Sequence, residues 1–196
     1  MNVVQIEGGE RVNTAVTSRE EILLACRELV SENGLSALNM RAVAQRCGVA
    51  LGSLYNYFPS KSDLTLAAIE SVWQDIFHME SCGAPVRSFP DSVQWICERV
   101  RAGMATYPQF FTAHSIGFAS EEKGRAREMM GRYFEHMKGS MRLALQQDPA
   151  VRADAFGGVL TREAFLDFVL SSLMTVLMRP TADCAVLLEL IRRAIY

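Results

Sequence analysis

The stretch RCGVALGSLYNYFPSKS, residues 46–62, confines the chain more tightly than any other. Gly48 takes readily to the left-handed conformation that closes a preceding helix. Pro59 pushes the residue before it out of helical geometry. Only a stub of helix fits between them, it carries Gly52 in its first turn, and helices this short do not persist alone in water. Such an element is kept for what it presents.

Helical periodicity continues on both sides, with no run of β-branched residues bounded by hairpin turns, so the expected fold class is all-α, about nine helices. The first helix starts at Thr17 or Ser18, where Glu20 or Glu21 completes a capping box, buries Ile22, Cys26, Leu29 and Val30, and ends at Asn33-Gly34. A second runs from an Asn39 cap through Arg46, and a fourth from a Ser60 cap to about His78. After a break at Ser81–Pro90, Asp91 and Gln94 form a capping box ahead of a stripe of Val93, Ile96, Cys97, Val100 and Met104. That helix stops at Tyr107-Pro108 and a short one follows through His114. A long helix over Ser120–Gln146 puts Ala126, Met130, Tyr133, Met137, Met141 and Ala144 on one face, and its Gly124, Gly131 and Gly139 point to close backbone approach. Two terminal helices, Thr161–Met178 and Thr181–Ile195, complete the chain.

A formal net charge of -2 excludes a polybasic surface, so any nucleic-acid site has to be local. The five cysteines (Cys26, Cys47, Cys82, Cys97, Cys184) are odd in number and lack C-x-x-C spacing, which suits neither a disulfide framework nor a zinc knuckle. Each is expected to be a small apolar packer in a reducing cytosol, with a redox role for Cys82 as the competing reading. Residues 1–16 carry Glu7 and Glu10 and no apolar block, which reads as a flexible arm rather than a secretory signal. The apolar run Ala164–Met178 falls short of the ~20 residues that span a bilayer. The expected location is cytoplasmic, with no membrane partner.

A Gly-closed helix, a three-residue turn at Cys47-Gly48-Val49 and a second helix with small residues at its start make a helix-turn-helix, whose second member lies in the DNA major groove. Leu54 and Phe58 are expected inward, while Ser53, Tyr55 and Asn56 supply hydrogen-bonding groups outward. Between Asn39 and Ser62 the only charges are Arg41, Arg46 and Lys61, all positive. Phosphate also favours the helix starts near Met40-Arg41 and Lys61, where unpaired N–H groups converge. Short Gly-closed helix pairs also occur in helical proteins that never touch nucleic acid.

Taken together, Gly34, Asn39, Val43-Ala44, Gly48-Val49, Gly52-Ser53-Leu54-Tyr55, Tyr57-Phe58, Lys61 and Leu64 resemble, at fixed spacing, the DNA-binding domain of the tetracycline-repressor (TetR) family of bacterial transcription regulators. The resemblance covers roughly residues 17–65. Ala50 stands where the family often caps with serine, and Tyr57 replaces a frequent histidine.

The resemblance implies a helix-turn-helix domain at 17–62 and an effector-binding and dimerisation domain at 63–196, in a ligand-responsive repressor of a palindromic operator. Its implied DNA-binding residues are Asn39, Met40, Arg41, Ala50, Leu51, Gly52, Ser53, Tyr55, Asn56, Tyr57 and Lys61: phosphate contacts position, groove contacts specify. One short recognition helix reads too few bases, so a homodimer is expected. Its interface is placed on Phe165, Phe168, Val169, Ser172, Leu173, Val176, Leu187, Leu190, Ile191 and Ala194, the alternative being a monomer that covers both faces itself. A pocket for an unknown small apolar effector is placed among Trp73, Phe77, Trp95, Met104, Phe110, Phe111, His114, Phe118, Met130, Tyr133, Phe134, Met137 and Phe168, with core packing as the competing role for each. No cofactor, metal or catalytic residue is expected. His78, His114 and His136 are isolated and no nucleotide or protease motif is present. The remaining alternative is a helical adaptor that binds protein and no nucleic acid.

Overall fold

The computed structural model describes residues 17–77, 88–110, 122–177 and 183–196. Among these residues there are eight α-helices and no strand: α1 (Arg19–Asn33), α2 (Met40–Cys47), α3 (Leu51–Tyr55), α4 (Lys61–Phe77), α5 (Phe89–Thr106), α6 (Glu122–Gln147), α7 (Arg162–Leu177) and α8 (Ala185–Ile195). The all-α expectation holds. The expected arm, the Ser81–Arg87 part of the break, Cys82 and the short helix after Tyr107-Pro108 from Phe111 onward lie outside the described residues.

Local chemistry sets most boundaries. Ser18 and Glu21 form the capping box of α1: the Glu21 N–H donates to Ser18 Oγ at 3.1 Å and the Ser18 N–H to Glu21 Oε2 at 2.9 Å. Gly34, at φ 76, ends that helix in a region closed to most side chains. The start of α5 differs from expectation. Its cap is Ser88, whose Oγ accepts the Asp91 N–H, so Phe89 and Pro90 lie inside the first turn, where proline's missing N–H costs nothing.

One apolar core runs through the molecule. Ile22, Cys26 and Val30 of α1 meet Val43 and Ala44 of α2, Leu54 of α3 and Phe58 beyond it. The long α4 carries this core onward through Leu64, Ala68, Ile69 and Val72, and packs on α1, α5 and α6. At the centre, α5 contacts α4, α6, α7 and α8. The crossing of α4 and α5 is close: a Cβ built on Gly103 would lie 2.6 Å from Ile76 Cγ1. By contrast, a Cβ on Gly124, Gly131 or Gly139 meets nothing within 4 Å, which corrects the close approach expected along α6. Surface charge adds a clamp between α6 and α7, where Arg142 donates to both carboxylate oxygens of Glu163 at 2.6 and 2.8 Å and Lys138 pairs with Glu163 and Asp167.

Two features depart from the sequence reading. Cys97 of α5 and Cys184, the residue before α8, form a disulfide with Cα atoms 6.6 Å apart, so they are not the free packers expected. Spacing along the chain gave no sign of it, because the two are 87 residues apart and only helix packing joins them. The chain end is also clasped. Asp148, 8% exposed, accepts the Phe89 N–H at 2.7 Å, the Ala150 N–H at 3.0 Å and the Tyr196 hydroxyl. Burial pushes the Asp148 carboxyl up, but those three donors outweigh it and hold it below its ordinary 3.8.

Two predictions follow from this packing. Gly103→Ala lowers stability by about 1–3 kcal/mol in chemical denaturation, because Ile76 is buried and stiff, and overpacking outweighs alanine's better helix propensity; an unchanged midpoint would mean the crossing has slack. Because the folded Asp148 pKa is depressed, its contribution is complete above pH 3.8 and is lost as pH falls through the lower folded value. Asp148→Asn therefore lowers stability at neutral pH and flattens the acid limb of the stability curve; a limb of wild-type slope would contradict the clasp.

Candidate nucleic-acid interface

Asn39 caps α2, its Oδ1 accepting the Ala42 N–H at 2.9 Å, so the next backbone N–H groups at Met40 and Arg41 face outward from the helix start. Gly48 closes α2 at φ 67, ψ 26, and the Val49 N–H reaches back to the Ala44 carbonyl at 3.0 Å. That left-handed residue turns the chain between the two helices. Ala50 then opens α3 without a side-chain cap, and α3 is five residues long. The chain leaves it through a turn in which the Phe58 N–H bonds the Leu54 carbonyl at 3.0 Å.

Leu54 and Phe58, 0% and 1% exposed, point into the core as expected, and the Arg19 guanidinium covers the Phe58 ring at 4.6 Å. The opposite face stands in solvent. Ala50, Gly52, Tyr55 and Asn56 are exposed, with Leu51 and Ser53 half-buried at its margins. Gly52 has an ordinary helical backbone and a Cβ built there would meet nothing within 4 Å, so packing among the described residues gives no reason for glycine.

The charges divide differently from the sequence reading. Arg46 donates to Glu32 at 2.5 and 2.9 Å and to Glu28 at 3.2 Å, which removes it from the expected basic patch and ties α2 to α1. The Arg46 hydrogen bond holds the Glu32 carboxyl below its ordinary value. Arg41 and Lys61 are exposed and form no ion pair among the described residues. Met40 is 6% exposed, so its side chain belongs to the core and only its backbone N–H remains for a partner. The Tyr57 hydroxyl donates to the Thr17 carbonyl at 2.5 Å, pinning the start of α1 beside the end of α3, while Tyr57 stays 37% exposed.

Of the residues placed around an effector, Trp73, Phe77, Trp95, Phe110 and Tyr133 form one aromatic cluster with ring centres 5.8–6.3 Å apart. Met137 is buried; Met104 and Phe134 are partly buried against the core. Phe168 is 58% exposed and is not part of this interior, although Phe165, about one turn before it, and Val169 beside it are buried. Phe111, His114, Phe118 and the side chain of Met130 lie outside the described residues. The residues placed at a dimer surface divide likewise. Phe165, Val169, Leu173, Leu187 and Ile191 are buried within this chain, Ser172 and Ala194 are half-buried, Phe168 and Leu190 are exposed, and the Val176 side chain is not described. Val186, 71% exposed, extends the outward apolar face of α8, which sequence alone did not single out.

A polar junction that the sequence reading missed joins α1 to α4 and α5. Arg27 of α1 donates to Ser71 and lies 3.9 Å from Asp75, both on α4. The Tyr107 hydroxyl, at the end of α5, donates to Asp75 at 2.8 Å, and Ser31 Oγ donates to the Thr106 carbonyl at 2.7 Å. A polar cleft of about 440 Å³ is lined by Arg19, Tyr57 and Asp63 together with Glu128 and Arg132 of α6.

Residues 22–68 match the sequence profile described as bacterial regulatory proteins, tetR family. The HTH-type transcriptional repressor KstR of Rhodococcus jostii (strain RHA1) is 32% identical over 117 residues, 60% of this chain. The match spans 55% of that relative's length, about half of it. Among solved structures, a TetR transcriptional regulator from Rhodococcus sp. RHA1 superposes with a TM-score of 0.55 at 22% identity, covering 89% of this chain and 91% of that one. The multidrug binding protein EbrR, complexed with imidazole, gives 0.63 at 17% identity over 92% and 96%. At these identities the structural likeness is one of fold.

Proposed function

We propose that this chain, a member of the tetR family of bacterial regulatory proteins by its residues 22–68, is a cytoplasmic transcriptional repressor that binds a palindromic operator as a dimer and is released by a small apolar effector. The observation that carries this reading is the outward face of α3. Five residues of helix, held by Leu54 and Phe58, present Gly52 to open space, and two unpaired cations, Arg41 and Lys61, flank them.

In this reading residues 17–62 form the DNA-reading domain and 63–196 the effector and dimer domain. Arg41 and Lys61 hold phosphate together with the N–H groups that open α2 and α4. Gly52 lets the α3 backbone approach the duplex, and Leu51, Ser53, Tyr55 and Asn56 face the base edges and the sugar-phosphate margin. The outward Phe168, Val186 and Leu190 receive the same face of a second copy, which sets two reading helices about one or more helical turns apart.

The aromatic cluster around Trp73 provides the lining for an apolar effector. Displacing its rings acts on α4, which carries both Trp73 and the Ser71–Asp75 side of the junction to α1. A ligand that prefers the displaced arrangement lowers operator affinity by its preference between the two states, commonly about 1–3 kcal/mol.

The salt dependence of binding to a fragment enriched from a random DNA pool tests the phosphate assignments. Lys61→Ala and Arg41→Ala each reduce the log–log salt slope by about 1, whereas Arg46→Ala leaves it at the wild-type value; equal slopes for all four proteins would remove both cations from the interface. Gly52→Ala keeps or raises the melting temperature, since alanine is the better helix former, yet weakens operator binding at least about tenfold, read in one fluorescence titration. Undiminished affinity would show that α3 does not press against the duplex.

A further inference from the structure

We propose that the Cys97–Cys184 bridge is a reversible redox joint that sets how firmly α8 is seated on α5. This goes beyond the regulator reading and does not depend on it.

The argument rests on where the two sulfurs sit. Cys97 lies mid-way along α5, the helix that touches α4, α6, α7 and α8. Cys184 is the residue from which α8 departs, and its carbonyl accepts the Leu188 N–H at 2.8 Å. The bond therefore pins the first turn of the last helix to the centre of the molecule. Val186 and Leu190, the outward apolar residues of α8, follow within two turns. Without the bond, that end of α8 is held by Leu187, Leu188 and Ile191 in the core, and by the Asp183 carboxylate on the Ala185 N–H at 2.8 Å. The far end is secured separately, by Arg152 on the Ala194 and Ile195 carbonyls and by Tyr196 on Asp148. Opening the bridge loosens one end and leaves the other clasped.

Both redox states suit the fold. Cys97 and Cys184 are 3% and 4% exposed in apolar surroundings, where a free thiol packs as a small hydrophobe. Reduction is thus a local change rather than an unfolding step. Among the described residues the two free cysteines, Cys26 and Cys47, are poor competitors. Burial, with Cys47 nearby, pushes the Cys26 thiol up to about 12, and burial also raises Cys47, so both remain protonated at neutral pH.

The chemistry is thiol–disulfide exchange with a small thiol such as glutathione. Its thiolate attacks one Sγ, the S–S bond breaks, and the departing cysteine sulfur takes a proton from water. A second glutathione thiolate resolves the mixed disulfide. Two cysteine thiols are regained while two glutathione molecules become one glutathione disulfide. Local opening around Cys184, at the start of α8, gives the reagent access.

The full-length protein, equilibrated without denaturant in glutathione buffers of graded ratio, provides the test. Alkylation and peptide mass are expected to show Cys97 and Cys184 passing together between linked and labelled forms, with far-UV circular dichroism unchanged. Amide exchange over residues 185–195 then rises at least roughly tenfold in the reduced form, while α2 and α3 exchange as before. Cys97→Ala and Cys184→Ala should exchange at the reduced-form rate in every buffer, and Cys26→Ala should keep the response. Should either bridge variant fail to fold, the two forms of the wild-type chain decide alone. Absence of a linked pair in oxidised glutathione, a bridge that opens only in denaturant, or equal α8 exchange in both forms would each overturn the proposal. Failure of both forms to bind operator would sink the regulator reading and leave this one standing.

Discussion

A five-residue helix has too few internal hydrogen bonds to offset the cost of ordering it, so α3 exists because Leu54 and Phe58 are drawn into a core built by α1 and α2. Fully burying side chains of this size contributes roughly 1.5–3 kcal/mol each, more than the helix could supply from its own backbone. The outward face is then fixed by geometry: with Leu54 directed inward, Gly52, Tyr55 and Asn56 are left on the solvent side. Everything proposed about DNA follows from that division of one short helix into a buried edge and a bare one.

The same core continues along α4 into the body, so one helix shares in the packing of α1 and in that of α5 and α6. An apolar face alone would permit sliding. The Arg27–Ser71–Asp75–Tyr107 junction adds directional contacts among α1, α4 and α5, and at Gly103 the α4–α5 crossing leaves no room for a side chain beside Ile76. A cleft lined by Arg19, Tyr57, Asp63, Glu128 and Arg132 lies between this part of the molecule and α6.

Where side chains end up shows how far local pattern reaches. Arg46 counted towards a basic patch because the charges near it in sequence are all positive, yet α1 lies alongside and brings Glu28 and Glu32 to it. Met40 follows a good cap and so seemed to mark an open helix start, but its side chain fills the core while only its N–H stays outside. Phe168 reads as one more apolar residue on a greasy helix; its exposure becomes visible only once α6 and α8 have taken the other sides of α7. Cys97 and Cys184 offered no spacing to read, since what joins them is the packing of α5 against α8.

By itself the sequence determined the all-helical class, the caps at Ser18 and Asn39, the turn at Gly48 and the inward pair Leu54 and Phe58, because these depend on contacts within a few residues and on periodicity. Tertiary structure decided which cations stay unpaired, which cysteines bond, which apolar residues of α7 and α8 face outward, and where α1 is tied to α4 and α5. Those outcomes depend on groups brought together from distant positions, and the separation of charge partners or sulfurs in space is set by helix packing, which no local stretch of residues encodes.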